Sequence, residues 1–580
     1  MKKVLFLFIA IFLFANQPIF NLNTKGHTGL IRDIIVYNNE IISASNDKTI
    51  RIYDIKTGKE KREILTQFGN GSYGKIFAIA LSKNGKYLAV GGYFGNDDAN
   101  NLGDIKIYDY KSAKLLKVLK SHIDVITDLS FSSNGKYLIS GSWDTTAKIW
   151  NINDFTLLDT IKSHTKAVLG VEIIQNRYAV TVGWDNKIDI YDIKKHHSIK
   201  FKQLKHKLQF IAINKVKKHI AVCGNDNQIN IFDYQLKHIK TIFANYKLTG
   251  INYSKDGKYL IVGGGSYPFN INIYETKNYS LYNTFTKHTN TVMAVDFINN
   301  RLVVSGGGNE KEIYIWNFHT GDIFKKIVGQ GATIWGVGIK GNNIAWGNIW
   351  SADNGMSTLD KSINLKTFEI SNNVNDFHRI STINGNYKLI ATKGGDYGYK
   401  DAVLNIVKNG KIVDYIIKDA YNGYRHICYG WYKDYIVSGG DNGILKIFDI
   451  HGNEILSLVG HTGTIWSIAL EGDILISGGI DQTIKVWDLS QIGYKSIIYP
   501  ILTIFISKNN DYLIWSNKGY FASSINGRKF AEFWINQGYN KEMKYVRNKY
   551  LNTFYKPDII RNIWLKNRKN KKRIKNEINF

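Results

Sequence analysis

The sequence predicts an all-β fold of repeated four-stranded units, on three observations. An aromatic–acidic or aromatic–amide pair returns at near-constant spacing, short β-branched runs alternate with Gly, Asp and Asn turns, and a histidine and an aspartate precede several pairs at fixed distances. The pair stands at Tyr53-Asp54, Tyr108-Asp109, Trp150-Asn151, Tyr191-Asp192, Phe232-Asp233, Tyr274-Glu275, Trp316-Asn317, Phe448-Asp449 and Trp487-Asp488. Successive spacings are 55, 42, 41, 41, 42, 42, 132 and 39 residues. The gap of 132 equals three steps of 44, which places two eroded copies inside it. A period near 40 with four short strands per copy is that of a β-propeller, whose blades cannot bury both faces alone and so come as a set.

Each segment follows from this ruler. Lys2-Lys3, the unbroken apolar run Val4 to Phe14 and Ala15 describe a secretory signal peptide over residues 1–15. The run is shorter than the roughly 20 residues of a spanning helix. Pro18 to Asn23 reads as an outer strand without a blade of its own, expected to complete a blade by non-local pairing. Repeat copies extend to about 525, enough for about twelve blades in two rings, divided seven and five or six and six. The first ring is assigned to 16–317 and the second to 318–525, with eroded blades at 318–420. Residues 501–524 read as a final blade, 526–568 as a short helical appendage and 569–580 as a basic tail.

Within 460–488, Ile465, Ile468 and Leu470 mark one strand, Ile474 to Ile476 a second, and Ile484, Val486 and Trp487 a third. The polar positions are equally regular. One set is His461, Ser477, Asp481 and Trp487, and another is His122, Ser140, Asp144 and Trp150. A third is His164, Thr181, Asp185 and Tyr191, and a fourth His27, Ser43, Asp47 and Tyr53; His206, Asp226 and Phe232 keep part of the pattern. On these residues the chain resembles the WD40-repeat propellers, and the resemblance implies that each set is a buried hydrogen-bonded tetrad. Ser, His and Asp are also the ingredients of a nucleophilic triad. A triad occurs once per active site, whereas this set recurs blade after blade, so the residues are read as locks on inter-strand turns. The same dispersal removes the histidines as a metal cluster.

A second resemblance lies near the end. Gly519-Tyr520-Phe521, Phe533-Trp534 and Phe554 to Asp558 are similar to the segment after bacterial WD40 propellers that precede caspase-like domains. No peptidase domain follows, so no protease activity is carried over.

Composition narrows the function classes. The net charge of +28 suggests nucleic acid, but lysine is dispersed through turns such as 82–87 and 254–259 rather than clustered, which argues against it. One basic block stands out, from Lys566 to Lys575, either a solvated tail or a weak contact with an anionic membrane surface. Cys223 and Cys428 fall in different rings and read as small buried hydrophobes. No CxxCH, CxxC or HExxH motif is present, and the acidic insertion with Asp97, Asp98 and Asp104 fits no calcium loop. Four positions near the beginnings of innermost strands carry large groups suited to a partner or to filling a channel: Arg32, Trp335, Arg379 and Trp466. Trp346 and Trp350 add to the aromatic content of the eroded zone. The function expected is a non-catalytic scaffold for protein–protein interaction in the periplasm or at the cell envelope, with no cofactor and no catalytic or metal site. The alternatives are a propeller enzyme or redox-cofactor-binding protein with a channel site, and a regulatory partner of a separately encoded peptidase.

Overall fold

A computed structural model of the protein describes residues 18–67, 72–95, 102–224, 226–348, 358–394, 399–417 and 425–577. The apolar run 4–14, Asp97, Asp98 and Trp350 lie outside them. Among the described residues, eleven sheets of four or more strands follow one another along the chain, and a further three-stranded sheet joins its two ends.

Blades 1 to 7 begin at Ile31, Ile76, Ile126, Val168, Phe210, Leu248 and Val292, and blade 7 ends at Ile327. The innermost strand of each packs on that of the next, and Val292–Phe297 of blade 7 packs back on Ile31–Tyr37 of blade 1. Seven blades therefore close a ring. Blades 8 to 11 begin at Gly336, Ile383, Cys428 and Ile465. Blade 11 packs on blades 8 and 10, blade 9 packs on blade 10, and Ile339 of blade 8 exchanges two backbone hydrogen bonds with His378 just ahead of blade 9. The second ring closes with four blades.

Burial follows position in the blade. In blade 4 the strands Tyr178–Gly183 and Lys187–Asp192 are buried almost throughout, while the outer strand His197–Gln203 is exposed. β-Branched residues on the middle strands fill the space between neighbouring sheets. The register shifts just before the aromatic of the repeated pair, at Ile52/Tyr53, Ile149/Trp150, Ile190/Tyr191 and Ile315/Trp316 among others. Such a bulge turns the strand and re-aims the aromatic ring. The pair that served as a ruler thus marks a bend in the third strand.

Four expectations need correction, the first three within the sheets. Residues 501–524 are not a twelfth blade. Leu502–Ile506 pairs with Thr483–Asp488 as the fourth strand of blade 11, and Tyr512–Ser516 and Phe521–Ser523 extend the sheet to six strands. Three strands alone would leave an unpaired edge, which joining an existing sheet removes. The first ring reaches Ile327 rather than 317, because the outer strand Ile323–Ile327 follows the Trp316-Asn317 pair. Pro18–Leu22 does pair non-locally, with Ala531–Ile535, but the sheet so formed is separate from both rings.

The C-terminal segment is helical later than expected. Residues 526–546 form a short 3-10 turn and the strands Ala531–Ile535 and Lys544–Tyr545. Helix α1 spans Arg547–Phe554, and α2 runs Pro557–Glu577, through the whole basic block. Proline at the first position and Asp558 in the first turn suit the start of α2. No helix among the described residues is long and apolar enough to cross a membrane.

Candidate functional site

The repeated polar sets come first, because they hold the Ser, His and Asp that could suggest chemistry. In blade 11, His461 Nδ1 lies 3.0 Å from Asp481 and Nε2 lies 2.8 Å from Ser477 Oγ, to which Trp487 Nε1 donates at 2.8 Å. Blade 3 repeats this: His122 to Asp144 at 2.7 Å, His122 to Ser140 at 2.8 Å, Trp150 to Ser140 at 3.0 Å. In blade 1, His27 meets Asp47 at 2.9 Å and Ser43 at 2.8 Å; in blade 4, His164 meets Asp185 at 2.9 Å and Thr181 at 2.7 Å. The tyrosines at the aromatic position differ from tryptophan. Tyr191 sends its hydroxyl to Asp159 on the outer strand of the neighbouring blade 3 rather than to Thr181, because a phenol has no donor at the place of the indole N–H. No bond joins Tyr53 to Ser43 among those described. In blade 5, His206 and Asp226 stand 3.5 Å apart and are partly exposed.

Burial opposes ionisation of Asp144, but the hydrogen bond and charge of His122 outweigh it and hold the carboxyl down at about 2. Asp481 and Asp47 are held low in the same way by His461 and His27, against burial. Burial also lowers His122 and His461 despite their aspartates. The side chains of His27, His122, His164 and His461 have no exposed surface, so no substrate reaches these groups.

Blade 7 holds a related set that sequence reading missed. His288 Nε2 lies 2.9 Å from Ser305 Oγ, Trp316 Nε1 donates to the same oxygen at 3.2 Å, and Glu312 stands 3.4 Å from His288 Nδ1. The acid here is Glu, four residues before the tryptophan instead of six, so the spacing rule passed over it. The histidine and serine would have revealed it.

A second group of missed residues binds blade to blade. Asp33 accepts from Ile79 N of blade 2 at 2.9 Å, and Asp128 accepts from Val171 N of blade 4 at 2.8 Å. Asp296 of blade 7 accepts from Val36 N of blade 1 at 3.1 Å and from Asn252 of blade 6 at 2.9 Å. Burial pushes Asp33 up to about 7 and Asp296 up to about 6, against these hydrogen bonds. Each aspartate sits on an innermost strand, a regularity visible in the sequence once the strands are aligned.

The four partner candidates do not form one site. Arg32 belongs to the first ring, where its guanidinium lies 4.2 Å from the Phe77 ring centre and its Nε donates to Asn46 at 2.9 Å. Phe77, Tyr93 and Trp143 extend this into an edge-to-face cluster, with centroids 5.2 to 6.3 Å apart. Burial lowers Arg32 to about 10. Trp335 and Trp466, from blades 8 and 11 of the second ring, meet at 4.5 Å, and the Trp466 indole N–H has no acceptor among the described residues. Arg379 is exposed, in the segment before blade 9. Trp346 is buried in the core of blade 8. Phe77 occupies the same second position of its inner strand as Arg32, and Trp143 precedes Asp144 as Asn46 precedes Asp47. Those alignments would have found the cluster.

The rings meet at their tetrad ends. Thr24 O accepts from Gln330 N at 2.9 Å, Lys508 N reaches Gln330 O at 2.8 Å, and Lys508 pairs with Glu310 at 2.6 Å. Lys75 Nζ of blade 2 reaches the Asn442 carbonyl of blade 10 at 3.4 Å.

Four windows, residues 17–54, 113–151, 279–317 and 452–488, match the WD40 family, described as WD domain, G-beta repeat. Each window runs from one outer-strand position through the third strand of the following blade. The chain is 25% identical over 165 residues to a U3 snoRNP-associated protein-like EMB2271 from Arabidopsis thaliana, covering 26% of this chain and 33% of that protein. It is 32% identical over 180 residues to a ribosome biogenesis protein WDR12 homolog from Trichoplax adhaerens, covering 30% and 38%. A guanine nucleotide-binding protein subunit beta from Nicotiana tabacum is 32% identical over 131 residues, covering 22% and 33%. The chain thus spans about a third of the length of these relatives.

Proposed function

We propose that this chain, built from WD40 repeats in two closed rings, is a non-catalytic scaffold that binds a protein partner through the half-buried aromatic and arginine clusters of its rings. The observation that carries this reading is the contrast between two sets of residues. The Ser, His and Asp side chains are sealed inside blades and satisfied by one another. Arg32 with Phe77 and Trp143, and Trp335 with Trp466, remain partly accessible on the inner strands and the turns beside them. Aromatic and arginine groups on a pre-organised surface are the commonest carriers of protein-binding energy. Residues 1–15 support export to the periplasm or envelope, and the basic α2 supports a weak contact with an anionic membrane surface.

The test is recovery of a partner from fractionated cells by the full chain, in parallel with Trp466→Ala and Arg32→Ala. A protein held by the wild type and lost at least tenfold by one variant is expected, in the envelope or periplasmic fraction. Equal recovery by all three forms removes the clusters from the interface. A bound chromophore in the absorbance spectrum of the purified chain refutes the scaffold reading.

A further inference from the structure

Lysine is spread along the whole chain, but the fold gathers one part of it on a single stretch of rim. Residues 194–247 carry twelve lysines against two aspartates, a net +10 of the chain's +28. They run from the outer strand of blade 4, His197–Gln203, through blade 5 to its outer strand, His238–Phe243, and the loop beyond. The second ring is held near blades 7, 1 and 2, at Glu310, Thr24 and Lys75. In a closed ring of seven, blades 4 and 5 lie farthest from that joint. The basic stretch of rim therefore faces away from it.

This rim is apolar as well as basic. On the blade 4 strand, Ile199 and Phe201 alternate with Lys200 and Lys202, and Phe201 is 64% exposed. On the blade 5 strand, Ile239 and Phe243 flank Lys240, and Phe243 is 67% exposed. Lysine on an edge strand can serve to block pairing with other chains. That role explains neither the exposed phenylalanines nor the lysines of the turns, at 194–195 and 215–218. Other outer strands are built differently. Blade 1 balances Lys61 and Arg62 with Glu60 and Glu63, and the outer strands of blades 3 and 6, Thr156–Ile161 and Ser280–Phe285, hold no basic residue. The two acids within 194–247 are engaged locally. Asp233 accepts from the backbone N–H groups of Gln235 and Lys237 at 2.8 and 2.9 Å, and Asp226 faces His206.

We propose that the outer rim of blades 4 and 5 is a docking surface for a bilayer rich in anionic lipid. Phe201 and Phe243 enter the boundary between headgroups and acyl chains, and the lysines around them hold the lipid phosphates. The chemistry favours a bilayer over a nucleic acid. All twelve cations are lysines, point charges on long flexible stems that suit a fluid array of headgroups. No arginine lies within 194–247 to clamp a phosphate or read a base edge with a rigid fork. The rim is also an outer edge with apolar groups at its surface, not a groove that tracks a strand. This surface is separate from the aromatic and arginine clusters and from α2, and it rests on no property of either.

The full chain is sedimented with vesicles of phosphatidylcholine alone, and with vesicles in which about a third of the lipid is phosphatidylglycerol, at low and high salt. Binding at least tenfold tighter to the anionic vesicles, and weakened by salt, is expected. Lys200→Gln, Lys237→Gln and Lys240→Gln together should weaken it at least tenfold, and so should Phe201→Ser with Phe243→Ser. All five side chains are exposed, so the variants should keep the wild-type melting temperature. Lys566→Gln with Lys569→Gln, in α2, should leave binding unchanged. Equal affinity for the two kinds of vesicle overturns the proposal on wild-type protein alone. Loss on the α2 substitutions in place of the rim ones moves the contact to α2 and overturns it too. Unchanged binding by the phenylalanine variant removes the apolar anchors and with them the bilayer. Displacement of the anionic vesicles by duplex DNA at equal phosphate concentration assigns the rim to nucleic acid instead.

Discussion

At the scale of single residues, the tetrads convert a sequence pattern into stability. Ser477 Oγ receives both His461 and Trp487, so Ser477→Ala strands two buried partners at once. That change should lower stability by about 1–3 kcal/mol, the range for leaving buried polar groups unsatisfied, measured as a denaturant midpoint. Acid should act at the same groups. Asp144 has its carboxyl held below the unfolded value, so its contribution is complete above about pH 4 and is lost as pH falls through about 2. Asp144→Asn should lose about 2 kcal/mol at neutral pH and show a flatter fall in melting temperature between pH 4 and 2. Four of these sets were legible because His, Asp and the aromatic keep their spacing. The set in blade 7 was not, because Glu312 is one methylene longer and reaches the same imidazole from a different position. Spacing records the usual solution to a geometry, and a longer side chain permits another.

At the scale of elements, what holds one blade to the next is a carboxylate on the innermost strand. Asp296 closes the first ring on Val36 and also takes Asn252, so one side chain ties blades 6, 7 and 1. Asp296→Ala should cost about 1–3 kcal/mol and let the blade 7–blade 1 seam exchange amide hydrogens ahead of other seams. Its pH dependence runs opposite to that of the tetrads. Burial raises the Asp296 carboxyl to about 6, so its contribution is full below about pH 4 and fades as pH rises past 6. The penalty of Asp296→Ala should therefore be larger at pH 4 than at pH 8, by about 2 kcal/mol, in parallel urea titrations. Nine of the eleven blades were legible because each bears the repeated pair, while blades 8 and 9 were placed only by the length of the gap between pairs. Blade 11 was miscounted because a strand reads the same whether it founds a sheet or extends one. Only the pairing of Leu502–Ile506 with Thr483–Asp488 distinguishes the two.

At the scale of the whole molecule, the two rings are joined by two stretches of chain that cross side by side, at residues 24–26 and 328–333. They lie so close that a Cβ on Gly26 would stand 2.3 Å from the Gly329 nitrogen. This approach excludes any side chain, and neither residue advertised it, because the sequence places them 303 positions apart. The ends of the chain reinforce the joint: Phe20 stacks on Trp515 at 4.9 Å and meets Phe533 edge-on at 5.4 Å. Gly26→Val must push the two crossings apart, and backbone on both sides leaves no flexible neighbour to yield. We expect the variant to lose about 1–3 kcal/mol, the range for overpacking a tight site. Each ring closes through its own blades, so the loss should fall on the joint rather than on the rings. Limited proteolysis checks this: cleavage of the variant near 328–333 should outpace the wild type while both rings persist as resistant fragments. Cleavage scattered through the blades would instead mean that neither ring holds together without the other.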